Sequence, residues 1–179
     1  ALSEWVELDD CYDGARYTER FECGRVARAF KCEGATDRRG VFVRFKPDAT
    51  IFTDTTTFKY DILRKRMQEQ AFLNGGLTIA IRDERLGKEQ ENIHCYEGGI
   101  REYVTYLNRH KTQIHNDVIY ISGSKDEAVA EIALQYNDGY NETIVSFAND
   151  INTPEGGMHE TGFKTALTRV LNAYGVKNG

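Results

Sequence analysis

Proline is scarce in this sequence. Only Pro47 and Pro154 occur among 179 residues, which excludes extended proline-rich linkers. No apolar run approaches the length of a membrane span, and no signal-peptide pattern opens the chain. A basic excess is missing as well. Lys and Arg total 23 against 28 Asp and Glu, a formal net charge of −5. That balance does not suit a free-standing nucleic-acid binder. The four cysteines (Cys11, Cys23, Cys32, Cys95) contain no C-x-x-C pair, so zinc-ribbon spacing is absent. His94 and Cys95 are adjacent, which is poor geometry for two ligands on one small ion. Without a secretory signal, four free thiols in a reducing, cytoplasmic compartment are expected. His159-Glu160 begins like a zincin helix, but Phe163 stands where the second histidine belongs.

What is present is an ordinary globular composition, 40% hydrophobic and 28% charged, which excludes wholesale disorder. The length suits one compact domain or two small ones. Ala1-Leu2-Ser3 carries no initiator methionine, and the last residues follow directly on a helical pattern. The expectation is an internal fragment of a longer protein.

The pattern along the chain predicts an α+β fold. Residues 3–12 and 15–22 read as strands joined at Asp13-Gly14, where both residues tolerate positive φ. A third strand is expected at 26–32. The clearest is 41–45, whose alternation puts Val41, Val43 and Phe45 on one face. Helical spacing follows over 59–73, with Tyr60, Leu63, Met67 and Ala71 as one stripe and Arg64, Lys65 and Arg66 largely off it. Asn74-Gly75-Gly76 supplies the stop. Strands are expected at 77–81 and 93–96 around a charged turn, then a short amphipathic helix at 100–108. Three strands at 118–122, 128–136 and 142–151 predict an antiparallel meander. A long helix ends the chain, lined by Phe163, Ala166, Leu167, Val170, Leu171 and Tyr174 and closed by Gly175.

Gly157 to Gly162 has the G-x-x-x-x-G spacing of a phosphate-binding loop between a strand and a helix. Phe163 follows the second glycine, however, and the lysine is displaced to Lys164. One residue along a helix rotates a side chain by about 100°, away from a phosphate cradle. The preferred reading is a helix start whose glycines allow close packing. The residues by themselves assemble no Ser/His/Asp set, no Cys/His set and no carboxylate pair with a shared site.

Several stretches nevertheless form a recognisable set. They are Arg44 to Asp48 (RFKPD), Arg66 to Phe72 (RMQEQAF), Tyr96 to Ile100 (YEGGI), Tyr106 to Arg109 (YLNR), Ala133 to Gly139 (ALQYNDG) and Glu155 to Lys164 (EGGMHETGFK). In this order the chain resembles the B-subunit family of the type IIA topoisomerases, DNA gyrase B and its topoisomerase IV counterpart. The resemblance implies the C-terminal half of a Bergerat-type (GHKL) ATPase sheet in residues 1–96. It implies the first half of a transducer domain, with an antiparallel meander and a long helix, in residues 97–179. It further implies a parent enzyme that uses ATP and Mg2+, dimerises with a second copy of the gyrase B chain, and works with a gyrase A-type protein on double-stranded DNA, with no membrane involved. The family's catalytic glutamate, magnesium-binding asparagine and glycine-rich lid would precede Ala1, and its γ-phosphate lysine would follow Gly179. No tight nucleotide binding by this chain alone is then expected. Val43 matches a family valine on the pocket floor, and Val41 stands where the family usually has a threonine. Both are the candidate cofactor-binding residues. Met158 likewise replaces a common threonine. The alternatives are a non-catalytic interaction module that shares the fold and the B-type component of a topoisomerase IV.

Overall fold

A computed structural model describes residues 2–179. It divides into two compact units, one running to Lys59 and the other from Tyr60 to Gly179.

The first unit is a four-stranded antiparallel sheet in the order β3-β2-β1-β4, built from β1 (Ser3–Tyr12), β2 (Ala15–Glu22), β3 (Arg25–Ala35) and β4 (Gly40–Pro47). Two tight turns set the register. Asp13 and Gly14 have φ of 50° and 75°, and Cys23 and Gly24 have 45° and 79°. Positive φ at both central residues matches the right-handed twist of the flanking strands. Because directly paired residues share a face, two unlike surfaces result. One carries Val6, Leu8 and Asp10 of β1 between Phe45, Val43 and Val41 of β4 and Phe21, Glu19 and Tyr17 of β2. On the other, Arg20 and Arg44 both reach the Glu7 carboxylate and lie 5.1 and 5.7 Å over the Trp5 ring. Arg16 grips Asp9 through two hydrogen bonds of 2.9 and 2.7 Å beside them. Arg44 and Arg20 hold the Glu7 carboxyl below its ordinary range, and Arg16 does the same for Asp9.

The second unit contains α1 (Tyr60–Leu73), the hairpin β5 (Ile79–Asp83) and β6 (Gln90–His94), and α2 (Gly99–Asn108). The hairpin β7 (Ile119–Lys125) and β8 (Ala128–Leu134) follows, then the two-residue pair β9 (Phe147–Ala148) and β10 (Ile151–Asn152), and last α3 (Met158–Asn178). Its core is aromatic. Phe72 is fully buried and stacks on Tyr96 and Tyr103 at 3.5 and 4.7 Å. Large, flat side chains in this arrangement fix α1 to α2. Gly75 passes so close to the backbone that an added Cβ would lie 3.2 Å from the Glu97 carbonyl oxygen.

Several expectations change here. The α1 stripe is rotated: Tyr60 and Ala71 are buried as expected, but Phe72 and Glu69 join them, while Leu63 is exposed. The β5–β6 hairpin runs two to three residues deeper into the charged stretch, because Arg82 and Glu91 sit across from each other and pair at 2.9 Å. No long strand occupies 142–151. Asn149 and Asp150 take positive φ of 48° and 64° and turn the chain within that stretch. Helix α3 continues through Gly175 to Asn178, and none of its residues is buried.

Candidate functional site

The residues that the sequence assigns to a nucleotide lie in the first unit, on β4. Strand formation there follows from alternation of β-branched and aromatic residues. Pairing with β1 sets Val41 opposite Asp10, Val43 opposite Leu8 and Phe45 opposite Val6. The three β4 side chains thus share one face, as the alternation predicts. Much of each side chain remains exposed: Val41 is 67% exposed, Val43 52% and Phe45 51%. They are therefore not sheet core in this chain. An exposed row of this kind offers dispersion and apolar contact to a flat ring, and no hydrogen bond.

The polar groups beside this row are Asp10, next to Val41 across the strand pair, and Glu19, one strand further on. Sequence reasoning did not single out Asp10. No local signal marked it, since only the β1–β4 register brings it opposite Val41. At the other end of the same face, Val6, Phe45, Pro47, Phe52 and Phe58 line an apolar groove of about 470 Å3. Phe45 and Phe58 meet edge to face there at 6.2 Å.

The glycine-rich segment lies in the second unit and is not a packed one: Gly157 and Gly162 are exposed and Gly156 is half-buried. An added Cβ at Gly157 would fall 2.8 Å from the His159 ring, and at Gly156 3.2 Å from a Glu160 carboxylate oxygen. Gly162 differs, with open space where its Cβ would be. Lys164 is held by Glu160 at 3.0 Å and Glu142 at 3.1 Å, and these two carboxylates raise its pKa. Glu160 also accepts a 3.0 Å hydrogen bond from Ser146. A lysine already committed to two carboxylates is not poised for a phosphate. Phe163 is half-buried rather than fully packed.

Groups able to hold a metal do not converge: no cluster of three or more His, Cys, Asp or Glu occurs among the described residues. The residues of the β4 row fit the apolar wall of a base-binding pocket. They do not fit phosphates or Mg2+, for which they carry no donor and no ligand. No helix is long and apolar enough to cross a membrane among the described residues.

Comparison with known proteins adds the context. Residues 99–179 match the family model described as DNA gyrase B. The DNA gyrase B protein of Bacillus mycoides is 50% identical over 99% of this chain, which spans 44% of that protein. The gyrase B proteins of Streptococcus pneumoniae (serotype 4) and Treponema denticola are 47% and 45% identical over 99% and 97% of the chain, which spans 28% and 27% of them. The chain thus covers less than half the length of these relatives. Among solved structures, the 43K ATPase domain of Thermus thermophilus gyrase B, crystallised with an aminocoumarin, superposes with a TM-score of 0.84. It has 31% identity, with 98% of this chain and 48% of that one covered. The gyrase B structure from Myxococcus xanthus gives a TM-score of 0.80 at 27% identity, covering 93% and 48%. The α+β fold, with its antiparallel sheets and three helices, is that of gyrase B ATPase-domain structures, and residues 99–179 match the DNA gyrase B family.

Proposed function

We propose that the chain is a segment of the ATP-hydrolysing gyrase B component of a type IIA DNA topoisomerase. The observation that carries this reading is the 50% identity with a gyrase B protein over 99% of the chain. In this reading residues 1–96 complete an ATPase sheet and residues 97–179 begin a transducer. The family match beginning at residue 99 supports that border. Val41 and Val43 contribute an apolar wall against the adenine ring. The transducer segment relays closure of the ATP site to strand passage and supercoiling. The parent uses ATP with Mg2+, pairs with a second copy of itself and with a gyrase A-type protein, acts on double-stranded DNA, and works in the cytoplasm. When bound, Mg2+ would screen the phosphate charge. Nothing in residues 1–179 is assigned to hold it or to activate the attacking water.

The test uses Val41. A threonine hydroxyl at this position can hold a water or a polar edge of the base, and valine cannot. Losing such a partner in a buried network costs roughly 1–3 kcal/mol, about a 5-fold to 150-fold change in affinity. The upstream half of an ATPase domain is restored by fusion to the corresponding part of a gyrase B relative, and nucleotide affinity is measured by calorimetry with Val41 and with Val41→Thr. Tighter binding by the threonine form supports the wall assignment. Unchanged affinity in a folded fusion removes Val41 and Val43 as site residues. Asp10, across the strand pair from Val41, is the neighbouring polar group, and Asp10→Asn is measured in parallel.

A further inference from the structure

A cavity of about 600 Å3 opens within the second unit between α1, α2, the 144–156 segment and the start of α3. That volume is in the range of small-molecule sites. Its walls include Tyr106, Leu107, Val145 and Pro154, and two polar groups inside it have unmet capacity. Tyr103 is 8% exposed, and its hydroxyl has no hydrogen-bond partner among the described residues. The hydroxyl is not sealed away either. Among the described residues His94 Nε2 is the only buried side-chain polar atom both sealed from solvent and unpartnered. Tyr103 is one of the residues that line the cavity. Glu69 is 6% exposed and takes one bond, on Oε2 from Arg66 at 2.9 Å. Its Oε1 is by the same reasoning unsealed and unpartnered.

Burial, then the charge of Glu69 and the neighbouring Tyr106, push the Tyr103 hydroxyl up to about 12, against an opposing contribution from Arg66. Tyr103 thus stays protonated and keeps oxygen lone pairs to offer. Two further basic groups line the cavity, Arg64 and Lys65; Arg64 pairs with Asp61 at 3.7 Å, and Lys65, one helical turn before Glu69, makes no ion pair with it among the described residues. The charge of Arg64 is felt at His94, and Lys65 is exposed. A buried carboxylate met by only one donor gains from a second charged donor.

We propose that this cavity is a binding site for an ammonium or amidinium group, whose N–H donors are shared between the free oxygen of Glu69 and the hydroxyl of Tyr103. The site contains no residue of the β4 wall and rests on none of the nucleotide reading. The test is calorimetric titration of benzamidine into the 179-residue chain, with benzoate as the probe of the same ring and opposite charge. The expected result is saturable one-to-one binding of benzamidine. Glu69→Gln and Tyr103→Phe should each weaken it by about tenfold. Thermal melts check that each variant folds, and Tyr103→Phe keeps the ring packing should Glu69→Gln unfold. Nα-acetyl-arginine methylamide is titrated in parallel. Tighter binding than benzamidine identifies a basic side chain of a polypeptide as the occupant, and weaker binding identifies a free small amine or amidine. Either keeps the assignment. Preference for benzoate, no saturation by any probe, or unchanged benzamidine affinity in a folded Glu69→Gln or Tyr103→Phe overturns it.

Discussion

Among the described residues, His94 alone carries a buried side-chain polar atom that is sealed without a partner. It is 7% exposed, its Nε2 is sealed without a partner, and its Nδ1 lies 3.4 Å from the Tyr96 hydroxyl. Burial, then the positive charge of Arg64, hold its pKa below the ordinary histidine value. The sign for stability follows. The neutral ring is the form the fold accepts, so its contribution is complete above the unfolded pKa of about 6.5. It is lost as pH falls through that value toward the lower folded one. The melting temperature should therefore drop between pH 7 and pH 5, and His94→Gln should flatten that drop. The same slope in a folded variant would contradict the assignment. Asp83 acts in a lower window. The Arg85 guanidinium holds its carboxyl at about 2, so stability is present above about 3.9 and is lost as pH falls toward 2. Asp83→Asn should remove that part of the acid loss in melts between pH 5 and pH 2. An acid loss of undiminished size in the variant would show that the pair does not contribute.

Among the elements, α3 departs most from what its pattern predicts. The apolar stripe is real in the sequence, yet Val170, Leu171 and Tyr174 are 60, 53 and 68% exposed. Periodicity reports which residues lie on one face of a helix, not whether anything covers that face. Phe163→Ala should then cost less than the roughly 3 kcal/mol of a fully buried phenylalanine. Lys164→Ala removes only solvent-screened ion pairs and should leave stability nearly unchanged. Urea melts of the two variants check this, and a Phe163→Ala loss above about 3 kcal/mol would place that ring in a full core. Strand boundaries were legible where turn chemistry was explicit, as at Asp13-Gly14. They were missed where a charged stretch concealed pairing, as with Arg82 and Glu91. The Asn149-Asp150 turn carried its own signal in residues that tolerate positive φ. The strand-forming stretch from Ile144 to Ala148, apolar but for Ser146, masked it and read as one continuous strand.

At the scale of the whole molecule, the chain holds two compact units and one candidate nucleotide-facing row. That Val41, Val43 and Phe45 share a face was readable from alternation alone. Their exposure was not, because it depends on what lies against the sheet. The neighbouring Asp10 depended on a β1–β4 register between strands nearly thirty residues apart in the chain, which local pattern does not fix. The functional reading rests on the aligned identity, and its central claim is that this segment works inside an ATP-driven gyrase B protein. The direct measurement replaces the aligned 178 residues of the Streptococcus pneumoniae (serotype 4) gyrase B protein with this chain. The hybrid is then assayed with a gyrase A protein, ATP, Mg2+ and relaxed plasmid. ATP-dependent supercoiling by the hybrid is the predicted result, and a folded, nucleotide-binding hybrid that never supercoils would contradict the claim.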